Sequence, residues 1–292
     1  MTDPQHPETP IIIIERENAP EPKHRSPWKA VAITVAVVVA LATLAFFSYR
    51  YWKQATNLGV PVSYTASQNI ARLSRPLPDE TPEVVATTDT ILGVPLEIYA
   101  IHGLVASLEF QEPTLDDESV YLYSRSADHK ADGTYIGALT VEGEDLPSSQ
   151  RRIGYMAMTG SNQVIGVGAS DKVQDHVRDL GGSFFRQFIL VSDGELPPKF
   201  YLHGKVERRA LGRIGDRLYY IATPAKETMW DFADALREYG FADAIYITGG
   251  KDYTYYRSAD GLRHDIGNPA DYPHKKWQGV IPWLVFRKPS AL

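Results

Sequence analysis

The sequence predicts an α+β protein, a mixed β-sheet core with flanking helices, preceded by one transmembrane helix. Three observations carry that expectation. An uncharged apolar run, Ala30–Ser48, lies near the N-terminus. Beyond it, short strand-like segments outnumber helices, of which only two are readable. And one stretch, Arg217–Thr248, reads as strand, helix, strand.

The apolar run (AVAITVAVVVALATLAFFS) would extend about 28 Å as a helix, close to the thickness of a hydrocarbon core. Trp28 and Lys29 precede it, and Tyr49, Arg50, Tyr51, Trp52 and Lys53 follow, as interfacial aromatics and snorkelling bases do. A cleaved signal peptide fits less well. The preceding stretch is long and acidic, and the one A-x-A candidate, Ala40-Leu41-Ala42, lies inside the run. Lys23, Arg25 and Lys29 on one side outweigh Arg50 and Lys53 on the other. This bias places the N-terminus in the cytoplasm and the C-terminal domain in the periplasm or outside the cell. The expected location is therefore an inner (cytoplasmic) membrane crossed once. The absence of cysteine suits an oxidising compartment. With a net charge of −6 and no basic stripe, nucleic acid is not an expected partner.

The chain then divides into a tail (1–29), the span (30–48), a linker (49–90) and a folded domain (91–292). The tail is rich in Pro and acidic residues and reads as disordered. Its Ile11-Ile12-Ile13-Ile14 would either add a strand to a partner's sheet or form an apolar patch without a role. Residues 54–85 are polar and Pro-punctuated. Strand character begins at Ile91 and returns at Ile153–Met158, Gln163–Val167, Phe188–Ser192, Arg217–Ala222, Asp243–Thr248 and Val280–Phe286. One helix, Asp171–Leu180, stops at Gly181-Gly182. The other starts at Thr228, with Asp231 in a capping-box-like place, and stops at Gly240. Met229, Phe232, Ala233, Leu236 and Tyr239 give it one apolar face. The strands flanking it would be parallel if they share a sheet.

Candidate chemistry is sparse. No H-E-x-x-H, C-x-x-C, G-x-S-x-G or P-loop occurs, and the eight histidines are scattered, so neither a metal site nor a cofactor is expected. Asp116-Asp117-Glu118 reads as a surface turn before a calcium loop. Val164–Ser170 (VIGVGAS) lacks the third glycine of a dinucleotide fingerprint and reads as a tight turn. Three segments hold more. In Lys205–Gly212, Arg208 and Arg209 beside Glu207 offer bidentate donors for a phosphate or sugar acid, or else an exposed ion-pair cluster. In Ala244–Asp252, a strand runs into Gly249-Gly250, placing Thr248 and backbone amides at a sheet edge, with Tyr255-Tyr256-Arg257 downstream. In Gly181–Gln187, Arg186 and Gln187 either project into a site or lie on the surface.

These segments resemble the phosphodiester glycosidase family, whose members carry "R-T-A-x-G", a helix of the kind "M-T-L-x-E-L-A-x-x-L", and "A-L-N-L-D-G-G-G-S-S". Arg209-Ala210-Leu211-Gly212 is similar to the first, Glu227–Leu236 to the second and Ala242–Gly250 to the third. The family's earlier "I-N-G-G-F-F" is matched faintly by Met158-Thr159-Gly160-Ser161. The resemblance covers residues 150–262 and leaves out the span. It implies hydrolysis of sugar phosphodiesters in envelope glycans, with Arg208 and Arg209 on the phosphate. Thr248, Gly249, Gly250, Arg186, Gln187 and Arg257 would line the pocket. The motifs also depart from the family. Its D-G-G-G aspartate falls on Thr248 and its asparagine on Thr159. Thr cannot act as a carboxylate, so Asp252 and Glu207 are the substitutes the sequence offers. The alternative is a glycan-binding or scaffold protein that kept the fold without the chemistry, and envelope protein partners are a third expectation.

Overall fold

The computed structural model describes residues 27–56, 60–130, 132–149, 152–198, 204–250, 252–267 and 281–289. Ile11–Ile14 and the rest of the tail before Pro27 lie outside them. The chain forms two compact units, Met1–Ser48 and Tyr49–Leu292.

The apolar run lies in helix α1 (Pro27–Thr56), which continues past both ends of the expected span. Its stretch Trp28–Arg50, with no buried residue, is long and apolar enough to cross a membrane. Among the described residues it is the one helix that is.

The second unit is built on three sheets. The six-stranded sheet runs in the order β1 (Glu83–Ile91), β2 (Val94–His102), β14 (Arg217–Ala222), β13 (Arg208–Ile214), β15 (Asp243–Gly249), β12 (Ile189–Ser192). One five-stranded sheet orders β10 (Gln163–Val167), β9 (Gly154–Met158), β11 (Ser183–Gln187), β6 (Leu139–Val141) and β7 (Glu144–Leu146). The other orders β17 (Arg263–Ile266), β16 (Thr254–Arg257), β4 (Val120–Arg125), β18 (Trp283–Arg287) and β3 (Val105–Glu109). A parallel pair, β5 (Tyr135–Ile136) and β8 (Ser148–Ser149), completes the set.

All three large sheets turn one face to a common apolar core that includes Ile101, Leu122, Met156, Phe185, Leu211, Ile245 and Phe286. Helix α4 (Met229–Tyr239) covers the far face of the six-stranded sheet through Met229, Phe232, Ala233 and Leu236. Helices α2 (Ala66–Leu73) and α3 (Lys172–Asp179) cover the far face of the β9–β11 sheet. The α+β expectation therefore holds: mixed sheets with few helices.

Helix α4 has the expected ends. Thr228 accepts a hydrogen bond from the Asp231 amide, and Gly240 closes the helix at φ 107°. Strands β14 and β15, which flank α4, do share a sheet but are not neighbours. Each pairs antiparallel with β13 between them, so they run parallel to one another.

One boundary is corrected. The segment 49–90, read as a linker, contains α2 and β1. Helix α2 carries a full capping box, Thr65 with Gln68, and buries Asn69 and Leu73. Strand β1 escapes recognition because it is an edge strand. Six consecutive residues, Val85–Thr90, are exposed, so no alternation marks it. The first expected strand begins instead at Val94, after the Leu92-Gly93 turn, where both residues take the positive φ of a tight hairpin.

The chain enters this unit along a fixed path. Ser63 Oγ donates to Asp243 Oδ1 at 2.7 Å, and Ser192 Oγ donates to the Pro61 carbonyl at 2.5 Å. Asp243, at the first residue of β15, also forms a buried ion pair with Arg213.

Candidate functional site

At the other end of β15, strand β13 begins with Arg208-Arg209 opposite Gly249 and Thr248. The register then shifts: Arg209 faces Thr248, but Ala210 faces Tyr246, leaving Ile247 as an extra residue. Such a bulge re-aims the side chains around it.

Arg209 is 2% exposed. Its Nη1 donates to the Gly250 carbonyl at 3.0 Å and its Nη2 to the Asp252 carbonyl at 2.9 Å. Glu207 Oε2 lies 3.8 Å from the same Nη2. The Gly250 amide, at φ 87°, donates back to the Glu207 carbonyl, which ties the two strand ends together. Arg208 points elsewhere. It donates to the carbonyls of Glu227 at 3.0 Å and Gly204 at 2.6 Å, and its Nη1 is 3.5 Å from the Tyr246 hydroxyl.

Asp252 is buried beside this pair. Its Oδ1 accepts from the Tyr253 amide at 2.9 Å and lies 3.4 Å from Arg125 Nε at the end of β4. Its Oδ2 has no hydrogen-bond partner among the described residues. Burial pushes the Asp252 carboxyl above the ordinary carboxylate range, against the pull of Arg125, Arg209, the Tyr253 amide and the nearby Thr248 hydroxyl. Asp128, in the loop after β4, behaves alike. Burial raises its pKa, opposed by the His129 amide, Arg125, Arg152 and Arg208. The Tyr246 hydroxyl is pushed up to about 12, first by burial and then by Asp128. Behind Asp252 and Arg209, the hydroxyls of Tyr220, Ser124 and Thr254 form a buried triangle with edges of 2.7–3.0 Å.

The structure thus brings together Glu207, Arg208, Arg209, Thr248, Gly249, Gly250 and Asp252. It adds Arg125, Asp128, Arg152 and Tyr246, which the sequence reading left out of the site. Gln187 joins them indirectly. Its Nε2 donates to the Ile136 carbonyl at 2.8 Å, and the Ile136 amide holds the Asp128 carbonyl at 3.0 Å.

Arg186 and Arg257 are not brought there. Arg186 precedes Gln187 on a strand, so its side chain leaves by the opposite face. There it binds the carbonyls of Gly168 and Ser170 at 2.5 and 2.6 Å, holding the turn before α3. Arg257 reaches the Asp117 carbonyl at 3.3 Å, at the far end of β16 from Asp252. Thr159, on which the family asparagine falls, sits in the β9–β10 turn, bonded to Asn162 and Ser161. That turn is at the end of β9 remote from Arg152.

No family model matches the chain, and no curated protein does. Among solved structures, the chain is similar to the catalytic domain of zebrafish N-acetylglucosamine-1-phosphodiester alpha-N-acetylglucosaminidase, auto-inhibited by its pro-peptide. The TM-score is 0.48 and the identity 12%, over 72% of this chain and 84% of that one. A hypothetical protein from Synechocystis is similar at a TM-score of 0.43 and 9% identity, over 72% of this chain and 64% of that one. This chain therefore spans less than two thirds of the Synechocystis protein. Both likenesses are distant ones of fold, and what the site can do rests on its own residues.

Proposed function

We propose that this chain is a membrane-tethered hydrolase of sugar phosphodiesters, acting on glycans at the outer face of a cytoplasmic membrane. The observation that carries the reading is electrostatic. Arg125, Arg152, Arg208 and Arg209 meet at a strand end with Asp128 and Asp252, and burial biases both carboxyls toward their neutral forms. A cluster of guanidiniums of this kind matches the charge and the oxygen geometry of a phosphodiester.

In this reading the arginines hold the phosphate and stabilise charge developing on it. Water attacks the anomeric carbon, the bond from that carbon to the phosphate oxygen breaks, and a phosphomonoester leaves with the electron pair. The water proton passes to Glu207, the carboxylate 3.8 Å from Arg209, while Asp252, held toward its neutral form by burial, donates a proton to the departing phosphate oxygen. Thr248, Gly249 and Gly250 line the approach, and Glu207 is the second carboxylate within reach of Arg209. The motif resemblance around Arg209 and Gly249-Gly250 supports the substrate class, and the apolar helix α1 supports the tether.

A second reading, glycan binding without hydrolysis, is favoured by Thr248 at the family's aspartate position and by Arg209, which spends two donors on backbone carbonyls. The full chain in neutral-lipid nanodiscs, given a panel of glycosyl methyl phosphodiesters, separates the two. Hydrolysis predicts sugar release that falls about a hundredfold or more in Arg209→Ala, the scale for losing a transition-state donor. Arg209-dependent binding without release selects the second reading. Neither binding nor release removes both and leaves a role in envelope assembly.

A further inference from the structure

The six-stranded sheet ends differently on its two sides. Strand β12, at one edge, is wholly buried. Strand β1, at the other, leaves Val85–Thr90 exposed on both faces. Proteins guard such an edge with lysine, proline, a bulge or a covering segment. Val85–Thr90 contains no lysine or proline, and the register with β2 runs unbroken from Glu83 to Ile91.

The register fixes which backbone groups face outward. Leu92 and Gly93 form a two-residue turn at φ 51° and 81°, so Ile91 and Val94 close the hairpin as a hydrogen-bonded pair. Alternation then turns the N–H and C=O of Asp89, Thr87 and Val85 toward β2, and those of Thr90, Thr88, Ala86 and Val84 away from it. Val84 agrees with this, since it bridges Ser258 outside the hairpin. Beyond Val84, the outward groups meet no backbone partner among the described residues. The Thr90 amide has only the carboxylate of its neighbour Asp89, at 2.7 Å.

This edge is complementary to itself. An antiparallel copy centred on Thr88 sets Thr88 against Thr88, Ala86 against Thr90, Thr87 against Asp89 and Val85 against Ile91. The central pair and the two Ala86–Thr90 pairs are those whose backbones face outward, and together they form about six hydrogen bonds. Asp89, the one charge in the exposed stretch, then meets a threonine hydroxyl, and Val85, 39% exposed, gains an apolar partner. Neighbouring registers do worse. Centring on Thr87 forms fewer outward bonds and sets Asp89 against Val85, and centring on Asp89 brings two carboxylates together. Centring on Ala86 needs Val84, already bridged, and centring on Thr90 runs into the turn.

Helix α1 suits the same partner. Ala32, Ala36 and Ala40 recur at every fourth residue along one shallow, exposed groove. Small residues at this spacing let apolar helices approach closely in a bilayer. The geometry points to a homodimer in which β1 pairs with β1 of a second copy around Thr88, joining two six-stranded sheets into one. The pairing uses none of the residues at the arginine site and does not depend on the chemistry proposed there.

The test uses the full chain in detergent micelles, where a sequence without cysteine gives a clean background. Under copper–phenanthroline oxidation, Thr88→Cys is expected to form a disulfide with its own copy, because residues paired at the axis hold their Cα atoms about 5.5 Å apart. Thr90→Cys, out of register with its own copy, is expected to stay uncrosslinked. Sedimentation equilibrium of the unaltered chain should show a dimer. Thr88→Lys sets two ammonium groups together at the axis and should raise the dissociation constant at least about tenfold. Thr88→Pro should do the same without adding charge, because the amide it removes faces away from β2. Both positions are exposed, so circular dichroism should be unchanged in each variant. A monomer, a dimer that neither variant weakens, or crosslinking of Thr90→Cys as strong as that of Thr88→Cys overturns the assignment.

Discussion

Asp243→Asn tests the physical reasoning most sharply, because this side chain is 2% exposed and carries several contacts at once. Its Oδ2 takes the Arg213 fork, with Nε at 3.0 Å and Nη2 closer still. Its Oδ1 accepts from Ser63 Oγ at 2.7 Å and from the Asp193 amide at 3.1 Å. An amide at this position keeps one acceptor but leaves the Arg213 charge buried without its counter-ion. Removing one partner of a buried pair costs about 3–5 kcal/mol. The lower end applies, because Arg213 retains the Gly215 carbonyl and lies 5.0 Å from the Tyr64 ring. For a domain of this size, about 3 kcal/mol lowers the melting temperature by roughly 6–12 °C. Thermal unfolding of the full chain in detergent, followed by tryptophan fluorescence, reads this directly. The double variant Arg213→Met/Asp243→Leu should recover most of the loss, since no charge is then stranded. A single-variant loss below about 1 kcal/mol, or a double variant worse than the single, would refute the reasoning.

Asp252 and Asp128 keep protons in the folded state that the unfolded chain gives up near pH 4. Their contribution to stability is therefore complete below about pH 4 and declines as pH rises toward the raised folded values. Asp252→Asn should flatten that decline in urea titrations at a series of pH values, while abolishing sugar release; an unchanged slope counts against the assignment. Gly249→Ala puts a methyl 2.2 Å from the Tyr246 hydroxyl and 3.1 Å from the Glu207 carbonyl. It should cost about 1–3 kcal/mol by overpacking and weaken phosphodiester binding by displacing Tyr246 from Arg208, both measurable by calorimetry. Thr228→Ala removes the cap on α4, 3.0 Å from the Asp231 amide. A loss of about 1 kcal/mol in chemical denaturation, with activity intact, is the expected result.

Local signals carried the fold reading where the physics is local. Thr228, Asp231 and Gly240 bracket α4 because capping is decided within a turn of helix. The buried strands β9, β10, β14 and β15 are legible as short apolar runs. Strand β1 is not, because its exposed threonines are ordered by backbone pairing with β2 across the hairpin, which leaves no alternation in the strand itself. The site divides in the same way. Arg208-Arg209 and Thr248-Gly249-Gly250 mark themselves by residue type beside glycines. Arg125 ends strand β4, Asp128 and Arg152 sit in ordinary-looking loop sequence, and only the packing of β4 and β9 against the central sheet brings them together. Arg186 misleads for a simpler reason. Alternation sends neighbours on a strand to opposite faces, and Gln187 is the one of the pair turned toward Asp128.

Strand β15 also connects the segment that enters this unit to the arginine cluster. Its first residue, Asp243, fixes the incoming chain through Ser63, and its last residues, Thr248 and Gly249, face the arginines. Seven residues of extended strand separate these ends, which sets the site roughly 20 Å from where the chain enters. Strand β13 spans the same distance in the opposite direction, with Arg213 at the Asp243 end and Arg208-Arg209 at the other. A pair of hydrogen-bonded strands is stiff, so the distance between the entering chain and the arginine site is a built-in length and not a property of the tether. Changes that loosen the Ser63–Asp243 contact would therefore free the entering segment while leaving the arginine cluster intact. Under the proposed function, Ser63→Ala should leave turnover of a small soluble phosphodiester unchanged, because that substrate diffuses to the site, and lower turnover of a membrane-bound glycan, which depends on how the entering segment is anchored. Equal effects on both substrates would mean that the contact acts on the site itself.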